Sequence, residues 1–565
     1  MTKYRTTLFS ALISSVASAS AITAVPEWRV AMSASSSTVS LPQLPPGAYS
    51  ISPLPGELSD SPSATLGFNL TRPDGRTGLW QELGGALLPL AELNLVGAVG
   101  PGRVGPESQH VFRLLGDIDS NAQDQRVFGA RAGEAVQTLE NVSWGVWAAN
   151  SSGNLEIARA YTDGALGPGI GADWVFRTDF DFVDSVNFAH LHALPNGKVL
   201  FDTTVRAPAE PNSFRQALVR YTPGLGNAPC ALVQSSAAAL APGVLVGDYF
   251  ASLRRAASSP RGEIYAAGGL ATQTPSITTR RGIWEFCSGA PQIKALSQST
   301  GVLGPNIPGS SAAIFNELLP IIAPTTPGSF YFSGEGSNPA FKGIFHHSNG
   351  QNRPVLINDV QGVLGPGIAG FTFDQVIDFH PLSAGRFGVV YAFIRNPATG
   401  TERTGLWRLR PDATAEPILI VGDAGVYAPA PGRLWEGVSA FNVLENGVVL
   451  AIASTSTPPS TLRRLGVWRF RTGRAPEEIL KAGDLVRYPT ATGVQMRAVR
   501  GVSDNFVGSA SAGLQNYAGE DSWVSASGSV LVEVELEGME GLIYPTRYVR
   551  AQVSDLSVLL EDGFE

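Results

Sequence analysis

Six histidines are the side chains of this sequence best suited to move a proton or hold a metal. His190 and His192 stand two apart in VNFAHLHAL, a spacing that puts both imidazoles on one face of an extended strand. VIDFHPL carries Asp378 and His380 at the same spacing. Counting back from Gly197 and Gly385 places His192 and His380 at one repeat position, and matches His190 with Asp378. If these strands line a central channel, the four side chains are candidates for a metal or a polar ligand. The competing expectation is a channel lined by hydrated or hydrogen-bonded histidines, because the two stretches lie far apart around a ring. His346 and His347 are neighbours, so a strand points them to opposite faces; surface exposure is expected of both.

The run GDIDSNAQD spaces Asp117, Asp119, Asn121 and Asp124 as oxygen ligands that could wrap calcium. It lacks the central glycine and final bidentate acid of a calcium loop, and Asp and Asn also serve turn geometry alone. Asp179, Asp181 and Asp184 repeat the logic less completely. Calcium is thus the one ion these residues suggest, and no other cofactor is expected. The sequence contains no nucleophile elbow, HExxH pair or P-loop. No residue is therefore assigned a catalytic role, although distant carboxylates could still be paired by folding.

The elements that must position these residues are repeated. A tripeptide recurs as GLW at 78–80, GVW at 145–147, GIW at 282–284, GIF at 343–345, GLW at 405–407 and GVW at 466–468. Degenerate copies stand at 217–221 and 541–544, and the period is about 60 to 75 residues. Before each copy comes a turn and an alternating apolar strand, as in PNGKVLF and ENGVVLAIA; after most comes a polar turn and a strand such as PVLIND or EILKAG. Four antiparallel strands per repeat describe a propeller blade. Gly-Pro loops such as GALGPGI, GVLGPNI and GVLGPGI join one repeat to the next. Trp80, Trp147, Trp284, Phe345, Trp407 and Trp468 are then repeat core rather than sugar-stacking surface. The fold expected is an all-β propeller of eight four-stranded antiparallel blades, with seven blades plus an N-terminal appendage as the alternative.

The pattern ILIVGDAG, APG, ENGVVLAIA after GLW, with EILKAGD, resembles the tandem repeats of exported bacterial proteins named for an NxxGxxAF motif. The likeness spans most of the chain beyond its N-terminus; PGSFYF lacks the Asn and PNGKVLF places Lys198 before the apolar pair. The resemblance implies the repeat fold and export, and no chemistry.

Export is expected from the N-terminus as well. Lys3 and Arg5 precede the short apolar LFSALISSVASA and a small-residue cleavage pattern near Ala21. The domain reading is a signal peptide over 1–21, a Ser/Pro-rich segment over 22–44, one propeller over 45–558 and an acidic tail over 559–565. The tail, ending DGFE, is similar to a short ending of some exported bacterial proteins. No apolar run is long enough for a membrane anchor. Net charge is −8 with no long basic run, which argues against a nucleic-acid partner. Two cysteines, Cys230 and Cys287, permit one disulfide in an oxidising compartment. The expected protein is monomeric, secreted, periplasmic or at the cell surface, and binds an extracellular ligand or protein as a non-catalytic binding or scaffold module. The alternatives are a propeller hydrolase or lyase acting on a glycan or ester, and a structural or adhesion module.

Overall fold

The computed structural model describes most of residues 66–502, the short strands at 29–34, 39–40 and 50–51, and parts of 523–552. Eight antiparallel sheets follow one another along the chain and form an eight-bladed β-propeller. Residues 1–21, expected to be a signal peptide, Asp179, Asp181, Asp184 and the acidic tail lie outside the described residues.

Blade 1 comprises Ser50–Ile51, Leu66–Thr71, Thr77–Leu83 and Ala86–Glu92. Blade 2 comprises Val111–Ser120, Arg126–Gly133, Ser143–Asn150 and Gly153–Arg159. In blade 3 the first-strand position is split between Val175–Arg177 and His190–Ala193, both paired with Val199–Arg206; Phe214–Thr222 and Gly226–Leu232 follow. Blade 4 is Asp248–Ser258, Ile264–Thr272, Arg280–Phe286 and Gln292–Leu296. Blade 5 is Ile314–Pro324, Phe330–Ser337, Phe341–Ser348 and Gln351–Ile357. Blade 6 is Thr372–Pro381, Gly388–Arg395, Glu402–Leu409 and Glu416–Ile420. Blade 7 is Leu434–Val443, Val449–Ser456, Arg464–Phe470 and Glu477–Leu480.

The eighth sheet draws on both ends of the sequence. Gly493–Val502, Ser529–Leu536 and Thr546–Gln552 supply its first three positions, and Leu485–Thr490 forms a hairpin with the first of them. Arg29–Ala34 completes it, antiparallel to Thr546–Gln552, with Arg29 opposite Arg550. That strand falls within the 22–44 segment, which the composition placed outside the propeller. An open edge on Thr546–Gln552 explains its recruitment, since an unpaired edge strand invites association. The Ser-rich surroundings of RVAMSA hide its alternation.

The recurring tripeptide works on two faces at once, because successive strand residues point to opposite sides of a sheet. Its aromatic packs against the preceding blade and its middle residue against the following one. Trp147 meets Leu79 of blade 1, Trp284 meets Leu218 of blade 3, Phe345 meets Ile283 of blade 4, Trp407 meets Ile344 of blade 5 and Trp468 meets Leu406 of blade 6. All six aromatics, Trp80 included, are buried. A bulge between third and fourth strands recurs at the same point, at Leu79/Trp80, Ile283/Trp284, Ile344/Phe345, Leu406/Trp407 and Val467/Trp468. Opposite several of these residues stands a proline, Pro89, Pro229, Pro354 or Pro417, which removes an amide from the outermost strand and blunts its edge.

The glycine of the tripeptide is needed for close approach. A Cβ on Gly282 would meet the Ala295 carbonyl at 2.9 Å and the Trp284 ring at 2.6 Å; one on Gly405 would collide with the Leu419 carbonyl. Blade 3 has Ala217 here, fully buried, and Val219 in place of the aromatic, so no indole competes for the space.

Candidate functional site

The polar residues of the first strands sit where consecutive first strands approach one another, as His190–Ala193 does the first strand of blade 2. Strand pairing confirms the equivalence of His192 and His380: His192 lies opposite Leu200, and His380 opposite Val389. His190 and Asp378 are likewise matched, opposite Asp202 and Tyr391. Asp119 and Asn442 occupy the His192 position in blades 2 and 7.

Within blade 6 the spacing of two does bring Asp378 and His380 together, Oδ2 lying 3.3 Å from Nε2. Asp378 Oδ1 accepts the amide of Phe379 at 2.7 Å. Burial works to raise the Asp378 pKa, but His380 and that amide outweigh it and hold the carboxyl below its ordinary value. Phe441 of blade 7 meets the His380 ring edge-on at 4.7 Å. The result is an imidazole oriented by a carboxylate, a unit able to exchange a proton. His192 is half-buried in blade 3, and the ring separates it from this pair by intervening blades. Among the described residues no three His, Cys, Asp or Glu groups gather to hold a metal ion.

The acidic run is a turn that stitches blade 2 to blade 3. Asp119 accepts its neighbour's amide at Ser120 with one oxygen and the Ala193 amide of blade 3, at 2.5 Å, with the other. Asn121, buried, accepts the amides of Gln123 and Gln125 and donates to the Leu194 carbonyl at 2.7 Å. Gln125 in turn accepts the Gly197 amide. Asp124 takes a left-handed turn conformation, φ +58°. Asp117 lies on the strand Val111–Ser120. The oxygens of Asp119 and Asn121 thus face backbone amides, a geometry of turn capping rather than of a shared cation.

His346 and His347 overturn the expectation of surface exposure: both are buried. The third strand is interior to its blade, so neighbouring blades cover both faces. His346 stacks on Tyr331 and its Nε2 meets the Ser329 hydroxyl at 2.7 Å. Burial, aided by His347 and Arg353, holds its pKa down at about 4. His347 stacks on Phe330, and burial lowers its pKa too. Its Nδ1 lies 2.7 Å from Asn352 Oδ1.

Asn352 belongs to a device that sequence reasoning missed. An asparagine early in the fourth strand, buried for Asn154 and Asn352 and half-buried for Asn227, donates its amide to the Gly-Pro loop that enters the same blade. Asn154 reaches Gly100 O at 3.0 Å, Asn227 reaches Gly167 O at 2.9 Å and Asn352 reaches Gly304 O at 3.2 Å. Each also donates to the fourth strand of the preceding blade, at Leu90, Ile157 and Lys294. The signal was available: SGN, LGN and GQN recur just after the third strand. The tryptophans join the same loops, Trp147 Nε1 donating to Pro101 O at 2.9 Å and Trp284 Nε1 to Pro242 O at 2.8 Å.

Cys230 and Cys287 are joined in a disulfide between blades 3 and 4, Cα atoms 4.8 Å apart. Arg220 reinforces the join by donating to the Cys287 carbonyl at 2.7 Å. No helix among the described residues is long and apolar enough to cross a membrane.

No family model matches the sequence, and no curated protein matches it. Solved structures that align with it include prolyl oligopeptidase B from Galerina marginata, at 10% identity and TM-score 0.34, over 80% of this chain and 55% of that one. This chain therefore spans about half the length of that oligopeptidase. The β-propeller domain of the Trilobed protease from Pyrococcus furiosus aligns at 9% identity and TM-score 0.32, over 76% of this chain and 95% of that one. The WD40 domain of SCAP from fission yeast aligns at 8% identity and TM-score 0.31, over 90% and 98%. Likenesses at this level carry no inference about activity, substrate or partner; the propeller rests on the strand topology itself.

Proposed function

We propose that this propeller is an exported, monomeric, non-catalytic binding or scaffold module of the NxxGxxAF-repeat type. The observation that carries the reading is the use made of its reactive-looking side chains. Asp119, Asn121 and Asn352 are committed to stitching one blade to the next. What remains for a ligand is a rigid ring with variable loops, the usual arrangement of a binding scaffold. The disulfide supports an oxidising compartment.

A hydrolase or lyase acting on a glycan or ester is the second reading, favoured by the Asp378–His380 pair. One experiment separates them. The purified protein is assayed on chromogenic glycosides, esters and uronate polymers, and in parallel on an immobilised glycan and protein array. Saturable binding without turnover supports the binding module. Turnover that His380→Ala abolishes, with the fold intact by circular dichroism, would establish the enzyme instead.

A further inference from the structure

The outer wall of blade 5 holds a groove of about 580 Å³, within the range of small-molecule sites. Its floor is the fourth strand, Gln351–Ile357, and its walls are the loops that enter and leave the blade. Pro308, Val355, Val363 and Leu364 make it largely apolar. Val363 is 61% exposed, a large apolar side chain facing solvent on the wall. Pro354 on the floor removes an amide, which works against an added peptide strand and leaves side chains to grip a ligand.

Arg353 is the single ionised side chain in the lining. Its place in the repeat is informative. In blades 6 and 7 the corresponding cross-strand pair is a salt bridge, Arg408 with Glu416 at 3.2 Å and Arg469 with Glu477 at 2.7 Å. In blade 5 the pair is His346 and Arg353. His346 turns away to Ser329, and Arg353 meets only the side-chain oxygen of Gln351, at 3.5 Å. Among the described residues Arg353 forms no ion pair with a carboxylate. Blade 5 thus places a cation on the fourth strand where blades 6 and 7 carry the acid, with no third-strand acid opposite it, beside an apolar groove on a chain of net charge −8.

We propose that this groove binds a small amphiphilic carboxylate, its apolar chain against Val355, Val363 and Leu364 and its carboxylate on the Arg353 guanidinium. The guanidinium fork matches a carboxylate with two parallel hydrogen bonds. This goes beyond the binding role proposed above, which specifies no ligand and does not depend on this face.

Decanoate is the probe, titrated calorimetrically below its micellar concentration, with decanol as the uncharged control. A photoreactive diazirine analogue of decanoic acid locates the contact by peptide mapping. The expected result is saturable binding of one decanoate per chain, weakened roughly tenfold or more by Arg353→Gln and by Val363→Asp, with label within 306–308 and 351–364. Both substitutions fall on exposed side chains, so folding is preserved. Absence of saturable heat, label elsewhere on the ring, or equal binding of decanol and decanoate unaffected by Arg353→Gln would each overturn the proposal.

Discussion

The indole N–H of Trp407 donates to the carbonyl of Pro366 at 3.1 Å, tying the third strand of blade 6 to the loop that enters it. Trp147 and Trp284 make the same bond to Pro101 and Pro242. The aromatic and Gly-Pro motifs are therefore two halves of one joint. Trp407→Phe retains a ring but strands a buried acceptor, and is expected to cost about 1–3 kcal/mol. Trp407→Ala adds a cavity and is expected to cost about 3–5 kcal/mol. Urea unfolding followed by intrinsic fluorescence and circular dichroism checks the order; a Trp407→Phe variant as stable as the parent would show that the hydrogen bond contributes nothing, and equal losses that the cavity adds nothing.

Gly405 and Ala217 occupy one repeat position under different constraints. Gly405→Ala drives a methyl into the Leu419 carbonyl and the Trp407 ring, and is expected to destabilise by about 1–3 kcal/mol, as overpacking does. Ala217→Gly removes a buried methyl and is expected to cost about 1 kcal/mol. The comparison of melting temperatures is decisive: a tolerated Gly405→Ala would mean that the bulge can relax.

The Cys230–Cys287 bridge spans a sequence separation of 57 residues. In the chain-entropy account a loop of this size stabilises by about 4 kcal/mol. Thermal unfolding with and without dithiothreitol should show a lower midpoint on reduction, and Cys230→Ser with Cys287→Ser should match the reduced protein and no longer respond to the reagent. Two alkylated cysteines in the unreduced protein would contradict the bridge.

Acid sensitivity should trace to His346. Its folded pKa, about 4, lies below the unfolded value near 6.5, so between these limits the unfolded chain binds more protons. The stability of the neutral, stacked imidazole is complete above about pH 6.5 and is lost as pH falls toward 4. Asp378, whose carboxyl is also depressed, contributes in the same sense but below its ordinary 3.8. Unfolding free energy against pH should therefore slope upward from 4 to 6.5, and His346→Phe should reduce that slope, leaving the share of His347, whose pKa burial also lowers. An unchanged profile in the variant would place the titrating group elsewhere.

The blade architecture was legible because its determinants are local. The tripeptide, the turn glycines and the Gly-Pro loops each need particular residue types at fixed offsets, so the repeat survives in the letters. The alignment of His192 with His380 came from the same periodicity. What escaped was whatever depends on a neighbouring blade. His346 and His347 read as surface because adjacency on a strand reveals opposite faces but not that both are covered. The role of the fourth-strand asparagines is not visible locally, since their carbonyl partners lie 48 to 60 positions away. Arg29–Ala34 was hidden because its pairing partner, Thr546–Gln552, stands at the other end of the sequence.

That pairing imposes an order on biogenesis. Arg29–Ala34 is made before blade 1, yet its partner Thr546–Gln552 is made only after blade 7. Blades 2 to 7 are each built from contiguous sequence and can assemble as they emerge, whereas the first strand must be held in waiting until the final sheet exists. Closure is a single late event that brings distant stretches together, the kind of contact that slows folding and prolongs exposure of apolar surface. A chain interrupted before Thr546 would carry seven blades and still have no clasp, because Arg29–Ala34 would lack its partner strand.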